Sequence, residues 1–282
     1  MKKFIALIIL ICLIFSGCSF VFSEQTTEEY KSPYATDVNG EFVPVHDNVD
    51  ESSLDPMLFF CDENMRMAYA EDGREYLTGI DVSVFQGDID WEAVQADGID
   101  FVILRIGFRG YGSKGIMEID GNFYKNYDGA RAAGLKVGVY FYSQATNAAE
   151  AREEAQLVLS ALGDRVLDMP VVYDWEYVDY AEARTADMTS AQITECAVNF
   201  CDEIENAGRE VMIYFNREIG YFEYDLALIS EYDFWLAEYC DYPTFIYKFD
   251  MWQYTDSGSV DGIASRVDLN IYFPKNNFEQ YG

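Results

Sequence analysis

Met169-Pro170-Val171-Val172-Tyr173-Asp174-Trp175-Glu176 reads as a short apolar strand ending in two carboxylates. A strand places residues i and i+2 on one face, roughly 6.5 Å apart along the chain, so Asp174 and Glu176 project together into one space. Two carboxylates side by side in a partly apolar site repel as anions. The pKa of one therefore rises, giving a proton donor beside a permanent anion. Glycoside hydrolysis needs such a pair, and it needs no histidine; the only histidine of this chain is His46. On these residues alone a second reading stays open, in which both acids simply end a strand in water.

Outward from that strand, seven more strand-like runs are counted from Gly79 onward. The eight are Gly79 to Ser83, Phe101 to Ile106, Leu135 to Ser143, Pro170 to Glu176, Glu210 to Phe215, Asp233 to Tyr239, Asp250 to Tyr254 and Val267 to Phe273. Helical segments separate the first five: Trp91 to Ala96, Asn122 to Ala133, Ala148 to Leu162 and Ser190 to Ala207. Gly98, Gly134, Gly163 and Gly208 follow these helices as C′ residues. Asn147 with Glu150, and Thr189 with Gln192, have capping-box spacing at helix starts. Ile193, Ala197, Phe200 and Ile204 form one apolar stripe. The last three strands are joined by short loops with weak helical pattern, apart from a short helix near Leu226 to Ser230. Strands alternating with helices imply a parallel sheet, and eight of them imply a barrel. The fold class is therefore α/β: a modified TIM-like barrel, five β/α units followed by three strands with few helices.

Barrels of this kind carry their sites at the C-terminal ends of the strands. Those ends supply Asp81, Arg105, Tyr142, Asp174, Glu176, Asn216, Glu238, Tyr239, Gln253 and Tyr254. Tyr140 and Trp235 join them as candidate substrate-binding residues. Trp235, Tyr239, Trp252 and Tyr254 are either core or, at the mouth, stacking surfaces for the C–H faces of sugars.

Upstream of the barrel, Met65-Arg66-Met67-Ala68-Tyr69, Glu71-Asp72-Gly73-Arg74 and Glu75-Tyr76-Leu77 suggest a hairpin over 61–78 with an Asp-Gly turn. Residues 18–60 carry Ser, Thr, Glu, Asp and three of the six prolines with little periodicity, and read as a flexible acidic tether. At the start, Lys2 and Lys3 precede an apolar run from Phe4 to Phe15, followed by Ser16, Gly17 and Cys18. The run is shorter than the about 20 residues of a membrane crossing, so 1–17 reads as an export signal. Phe15-Ser16-Gly17-Cys18 resembles the lipobox of bacterial lipoproteins, which implies lipid on Cys18, an extracellular membrane-anchored protein and no other membrane contact. An ordinary cleaved signal is the alternative, with a secreted product.

The formal charge is −31, and because residues 1–17 hold two lysines and no acid, the chain without them stands at −33. Such a surface repels nucleic acid and anionic lipid, which closes the electrostatic route to either. The 50% hydrophobic and 16% aromatic residues exclude a disordered acidic chain. Beyond Cys18 stand Cys61, Cys196, Cys201 and Cys240. Positions 196 and 201 lie about 140° apart around a helix and should not pair, so buried free thiols are the expectation. No Cys-x-x-Cys spacing occurs, so no metal site is expected, and no cofactor either.

Gly79-Ile80-Asp81-Val82-Ser83-Val84-Phe85-Gln86-Gly87, Ile89-Asp90-Trp91, Phe101-Val102-Ile103-Leu104-Arg105, Gly138-Val139-Tyr140, Asp174-Trp175-Glu176, Phe234-Trp235-Leu236-Ala237-Glu238-Tyr239, Trp252-Gln253-Tyr254 and Val267-Asp268-Leu269-Asn270 follow one another in the chain. In that order they resemble the successive motifs of family 25 glycoside hydrolases, the Chalaropsis-type lysozymes. The resemblance runs from about Gly79 to Phe273. It implies a barrel of five β/α units and three strands, N-acetylmuramidase activity on peptidoglycan glycan strands, and an acidic site of Asp81, Asp174, Glu176 and Asp268. Glu176 matches the general acid/base and Asp174 the carboxylate that steadies the reacting sugar.

Two carboxylates on one strand face stand on the same side of a substrate, which suits direct backside attack by the second poorly. The substrate's own 2-acetamido carbonyl can attack instead, with Asp174 orienting its N–H; inversion through a bound water is the alternative.

Among the remaining features, the stretch 107–115 is glycine-rich but lacks phosphate-loop spacing and reads as a loop. Asp90, Asp120 and Asn122 read as helix caps, and Arg105 as the partner of a barrel carboxylate or of substrate. A chitinase-type enzyme would carry acids at alternate positions upstream of its catalytic Glu, where this chain has Val172 and Pro170. A non-catalytic, lipid-anchored wall-glycan receptor is the rival of a different class, and the oligomeric state is open.

Overall fold

The structure, a computed structural model, describes residues 32–275. Its strands are β1 (Tyr34–Thr36), β2 (Phe42–Pro44), β3 (Phe59–Cys61), β4 (Met67–Tyr69), β5 (Leu77–Val82), β6 (Phe101–Arg109), β7 (Met117–Ile119), β8 (Lys136–Ser143), β9 (Val171–Trp175), β10 (Val211–Asn216), β11 (Asp233–Ala237), β12 (Met251–Gly258) and β13 (Val267–Tyr272). The helices are α1 (Trp91–Ala96), α2 (Phe123–Ala132), α3 (Ala148–Leu162), α4 (Ser190–Asn206), α5 (Arg217–Phe222) and α6 (Leu226–Ile229). The wall runs β5-β13-β12-β11-β10-β9-β8-β6, and β6 pairs with β5 to close an eight-stranded barrel; β7 adds to β6 as a short flap.

Strand parity sorts the side chains into two cores. Phe101, Ile103, Val172, Met212, Trp235 and Met251 fill the barrel, while Ile80, Val102, Val171, Ile213 and Leu236 face the surrounding helices. Phe101 fits inside only because its neighbour is Gly79, where a Cβ would stand 2.2 Å from the Phe101 ring. The four C′ glycines at 98, 134, 163 and 208 all have positive φ, between 52° and 86°, and end their helices as read. Ile193, Ala197, Phe200 and Ile204 are all buried.

Several expectations are corrected. β13 runs antiparallel to both β12 and β5, so the sheet is not wholly parallel. The link from Gly258 to Val267 is too short for the crossover of a dozen or more residues that a parallel strand needs. The hairpin is formed by β3 and β4, with Phe59 opposite Tyr69 and its turn at Asp62 to Arg66, not by 65–77. Gly73 does turn the chain, but it leads from β4 into the first barrel strand.

The span read as tether is folded from residue 33 on. β1 pairs with β2, Val43 and Leu54 are buried, Ser52 donates to the Ile246 carbonyl, and Asp37 pairs with Arg217 at 2.7 Å. His46 packs edge-on against Tyr247, so it too belongs to the fold. The hold consists of scattered single contacts, among them Arg217 with Asp37 and Glu41 and the bridge of Glu51 to Tyr247, and low periodicity concealed them. Helix α5 was not foreseen; Asn216 caps it by accepting from the Ile219 N–H at 2.9 Å. All four cysteines of the described residues are free, Cys196 and Cys201 buried but Cys61 exposed. The lipidation and signal readings on 1–18 lie outside the described residues. No helix among the described residues is long and apolar enough to cross a membrane.

Candidate active site

Along several of the parallel strands the barrel interior changes from apolar to polar toward the C-terminal end. β6 passes from Phe101 and Ile103 to Arg105, β9 from Val172 to Asp174, and β12 from Met251 to Gln253. These ends open into a cleft of about 290 Å³ lined by Asp81, Arg105, Tyr140, Tyr142, Asp174, Glu176, Tyr214, Trp235, Tyr239, Gln253 and Asp268, with Phe85 and Gln86 at its rim. Because β13 runs in reverse, its first residues rather than its last lie at the mouth, and Asp268 stands directly opposite Asp81.

The four acids form two pairs. Asp81 accepts from Gln253 Nε2 at 2.9 Å and from Asn270 Nδ2 at 2.8 Å. Gln253 Oε1 accepts in turn from the hydroxyls of Tyr214 and Tyr239, and Asn270 Oδ1 from the Trp235 indole N–H at 2.8 Å. Burial and the negative charge of its partner push Asp268 up to about 8. Burial pushes Asp81 up to about 6 against the pull of Asn270 and Gln253.

Asp174 and Glu176 stand together at the end of β9, both lining the cleft. Burial raises both carboxyls; mutual repulsion adds to the rise of Asp174, and the charge of Asp268 to that of Glu176. Asp174 is 4% exposed, and its Oδ1 has no hydrogen-bond partner among the described residues. A buried carboxylate oxygen without a donor is costly as an anion, in keeping with the raised Asp174 carboxyl. Glu176 lies further out and reaches open cleft. Such a pair holds one proton between two oxygens of different accessibility, the requirement for delivering it to a bridging oxygen.

Arg105 is held by Asp120, with Nε at 2.8 Å and Nη2 at 2.7 Å from one carboxylate oxygen, and its guanidinium lies 4.9 Å from the centre of the Phe85 ring. It thus has the carboxylate partner expected, although its cleft-facing side remains part of the lining. Asp120 also accepts from the Val84 N–H, tying the loop after β5 to the mouth. Asp90 caps α1 as read, but Asn122 makes no cap bond and donates to the Gly87 carbonyl instead.

Residues 80–263 match the model of glycosyl hydrolases family 25. The chain belongs to this family. It is 29% identical over 198 residues to the autolytic lysozyme of Clostridium acetobutylicum, an alignment covering 70% of this chain and 56% of that protein. The modular autolysin LytC of Streptococcus pneumoniae, solved in complex with a synthetic peptidoglycan ligand, superposes with a TM-score of 0.64 at 24% identity over 85% of this chain and 56% of LytC. A family 25 glycosyl hydrolase from Bacillus anthracis gives 0.60 at 23% identity, over 76% of this chain and 96% of that one. The chain thus spans just over half the length of the first two proteins and nearly all of the third.

Within this family 25 barrel one of the sequence candidates, Tyr254, sits elsewhere, and two, Asn216 and Glu238, line a recess that shares Glu176, Tyr214 and Tyr239 with the cleft. Tyr254 is adjacent to the inward-facing Gln253 and so must face outward; it packs on Trp252 and lines a separate cavity of about 580 Å³ beside the β3–β4 hairpin. That cavity is the larger, but it holds none of the four acids. Asn216 is occupied as the α5 cap, and Glu238 accepts from the Thr244 N–H at 2.8 Å, which fixes the loop after β11.

The residues not anticipated are Tyr214, Phe85, Gln86 and Asn270. Parity would have found two of them. Tyr214 stands two positions after Met212, and Asn270 two after Asp268, on strands already recognised. Among the described residues no group of three or more His, Cys, Asp or Glu side chains is arranged to hold a metal ion.

Proposed function

We propose that this family 25 protein is a peptidoglycan hydrolase that cleaves the β-1,4 bond between N-acetylmuramic acid and N-acetylglucosamine. The observation that carries the reading is the Asp174/Glu176 pair at the barrel mouth, in a cleft that also holds Asp81 and Asp268. Glu176 donates its proton to the glycosidic oxygen as positive charge develops at C1 of the muramic acid. The substrate's 2-acetamido carbonyl oxygen attacks C1 while the Asp174 carboxylate accepts the acetamido N–H, so that the amide stays oriented and its developing charge is balanced. Glu176, now ionised, removes a proton from the water that opens the cyclic intermediate, and the configuration at C1 is retained. Asp81, whose Oδ2 accepts from both Gln253 and Asn270, and Asp268 shape the floor beside the reacting sugar. Arg105, Tyr140, Tyr142, Trp235 and Tyr239 are the cleft residues assigned to holding the glycan.

Digestion of purified peptidoglycan, borohydride reduction and mass spectrometry of the new ends tests this. Reduced muramic acid termini are expected. Reduced glucosamine termini would point to a glucosaminidase, and no cleavage to a wall-glycan receptor. Inverted product at C1 would replace substrate assistance by direct attack of water.

We also propose that lipid on Cys18 holds the protein on the outer face of a bacterial membrane, a reading supported by Lys2, Lys3, the apolar run and the small residues before Cys18. Cys18→Ala should move the protein out of the detergent fraction or leave it unprocessed; an unchanged membrane fraction rules out this anchor.

A further inference from the structure

Strand β8 stands between β6 and β9 in the barrel wall, and Tyr142 near its C-terminal end lines the cleft. The loops leaving its two neighbours, 110–116 after β6 and 176–189 after β9, are joined to each other. The Arg184 N–H donates to the Tyr111 carbonyl at 2.9 Å, and the Arg184 guanidinium pairs with Glu150 on α3 at 2.5 Å. Arg184 lies so close over Gly115, a residue at φ +51°, that a Cβ there would fall 1.9 Å from Nη1.

One buried side chain also clamps both ends of the second loop. Gln144 Nε2 donates to the Glu176 carbonyl at 3.2 Å, and its Oε1 accepts from Thr185 Oγ1 at 2.9 Å. The loop is therefore fixed to the same point as the acid it follows.

On this frame two tyrosines face solvent. Tyr111 is 48% and Tyr180 44% exposed, and their ring centroids are 5.4 Å apart at 59°. Tyr180 stands four residues after Glu176 in the loop that Gln144 ties to the Glu176 carbonyl, and the Arg184 N–H bond to the Tyr111 carbonyl holds the first loop beside it. The arginines nearby are paired with carboxylates: Arg184 with Glu150, Arg109 with Glu154 and Arg105 with Asp120. Lys114 of the 110–116 loop is exposed beside the tyrosines, and the C–H face of a pyranose matches a fixed aromatic surface.

We infer that Tyr111 and Tyr180 form a stacking platform for a sugar ring of the glycan strand remote from the cleaved bond, on the β8 side of the cleft. This rests on the glycan-cleaving function proposed above and adds a dependence on chain length. Rigid loops make the platform preorganised, so its binding free energy is not spent on ordering them.

The test uses peptide-free glycan strands of graded length with the full-length protein. Tyr111→Ala and Tyr180→Ala should each lower kcat/KM about three- to tenfold on long strands, mainly through KM, and leave the shortest cleaved oligomer unchanged. Tyr111→Phe and Tyr180→Phe should keep wild-type values, since the ring faces and not the hydroxyls are used. Equal losses at every length, no loss at any length, or losses seen only on peptide-bearing strands would each overturn the platform. Should the wild type cleave neither these strands nor purified peptidoglycan, the hydrolase reading fails separately. The platform is then decided by calorimetric binding of the same strands to Glu176→Gln protein: weaker binding of long strands by the alanine variants supports it, and undiminished or absent binding overturns it.

Discussion

The two carboxyl pairs at the mouth are built in opposite ways. Asp174 and Glu176 come from one strand end, two residues apart, and leave an oxygen without a donor. Asp81 and Asp268 come from the first and last barrel strands, become neighbours only when β13 closes the sheet in reverse, and Asp81 accepts from two amides. Both amides donate to the same Asp81 oxygen, Oδ2, and so fix that carboxyl on the barrel floor, whereas no side-chain amide among the described residues holds Asp174. In the function proposed above, the first pair reacts and the second is the scaffold that sets the field around it.

The sharpest break of this contrast is Glu176→Gln, which keeps shape and hydrogen bonding and removes the transferable proton. Initial rates on purified peptidoglycan should fall by about 10²- to 10⁴-fold. Near wild-type turnover would end the assignment. Asp174→Asn comes next, about a hundredfold in kcat, because an amide in that place offers the acetamido N–H a neutral acceptor where an anion is needed. If Asp81→Asn were as damaging as Asp174→Asn in the same assay, the division into reacting and scaffolding pairs would be lost.

A subtler effect follows from protons. The unfolded-chain carboxyl titrates near 3.8, while in the fold Asp81 is pushed up to about 6 and Asp268 to about 8. The folded state therefore binds more protons than the unfolded one in between. The stability these groups contribute is complete below about pH 4 and is lost as pH rises toward 8. Melting curves of Asp268→Asn should show a shallower alkaline decline than wild type; parallel declines would contradict the shared-proton arrangement. The smallest effect belongs to Tyr254→Phe, which should leave kcat and KM unchanged because that ring faces away from the cleft. A large loss there would mean that the outer cavity takes part in binding.

What could be read in advance follows the same division. Residues close in sequence were legible: the Asp174/Glu176 spacing, the C′ glycines and the Thr189–Gln192 capping box, which the structure contains. Asp81 opposite Asp268 was not legible from spacing, since it depends on the direction of a strand set by loop length. The resemblance to a family supplied it. Tyr254 was misplaced by treating adjacent strand residues as sharing a face, although a period of two forbids it. Segment 33–58 was missed because its hold on the barrel lies in single contacts such as Arg217 to Asp37, which leave no repeat in the sequence.

The β3–β4 hairpin bears on where the chain can be cut. No helix of the described residues covers the outside of β12 and β13, and Phe59 and Tyr69 take that place, packing edge-on against Trp252 and Phe273 at 5.1 to 5.3 Å. A fragment trimmed to the family-matching span would begin inside β5 and stop short of Asp268. One extended to residue 275 but starting at 79 would keep all four acids and leave that aromatic seam bare to water. The smallest fragment to express is thus set by cladding rather than by chemistry, and it starts near Pro33.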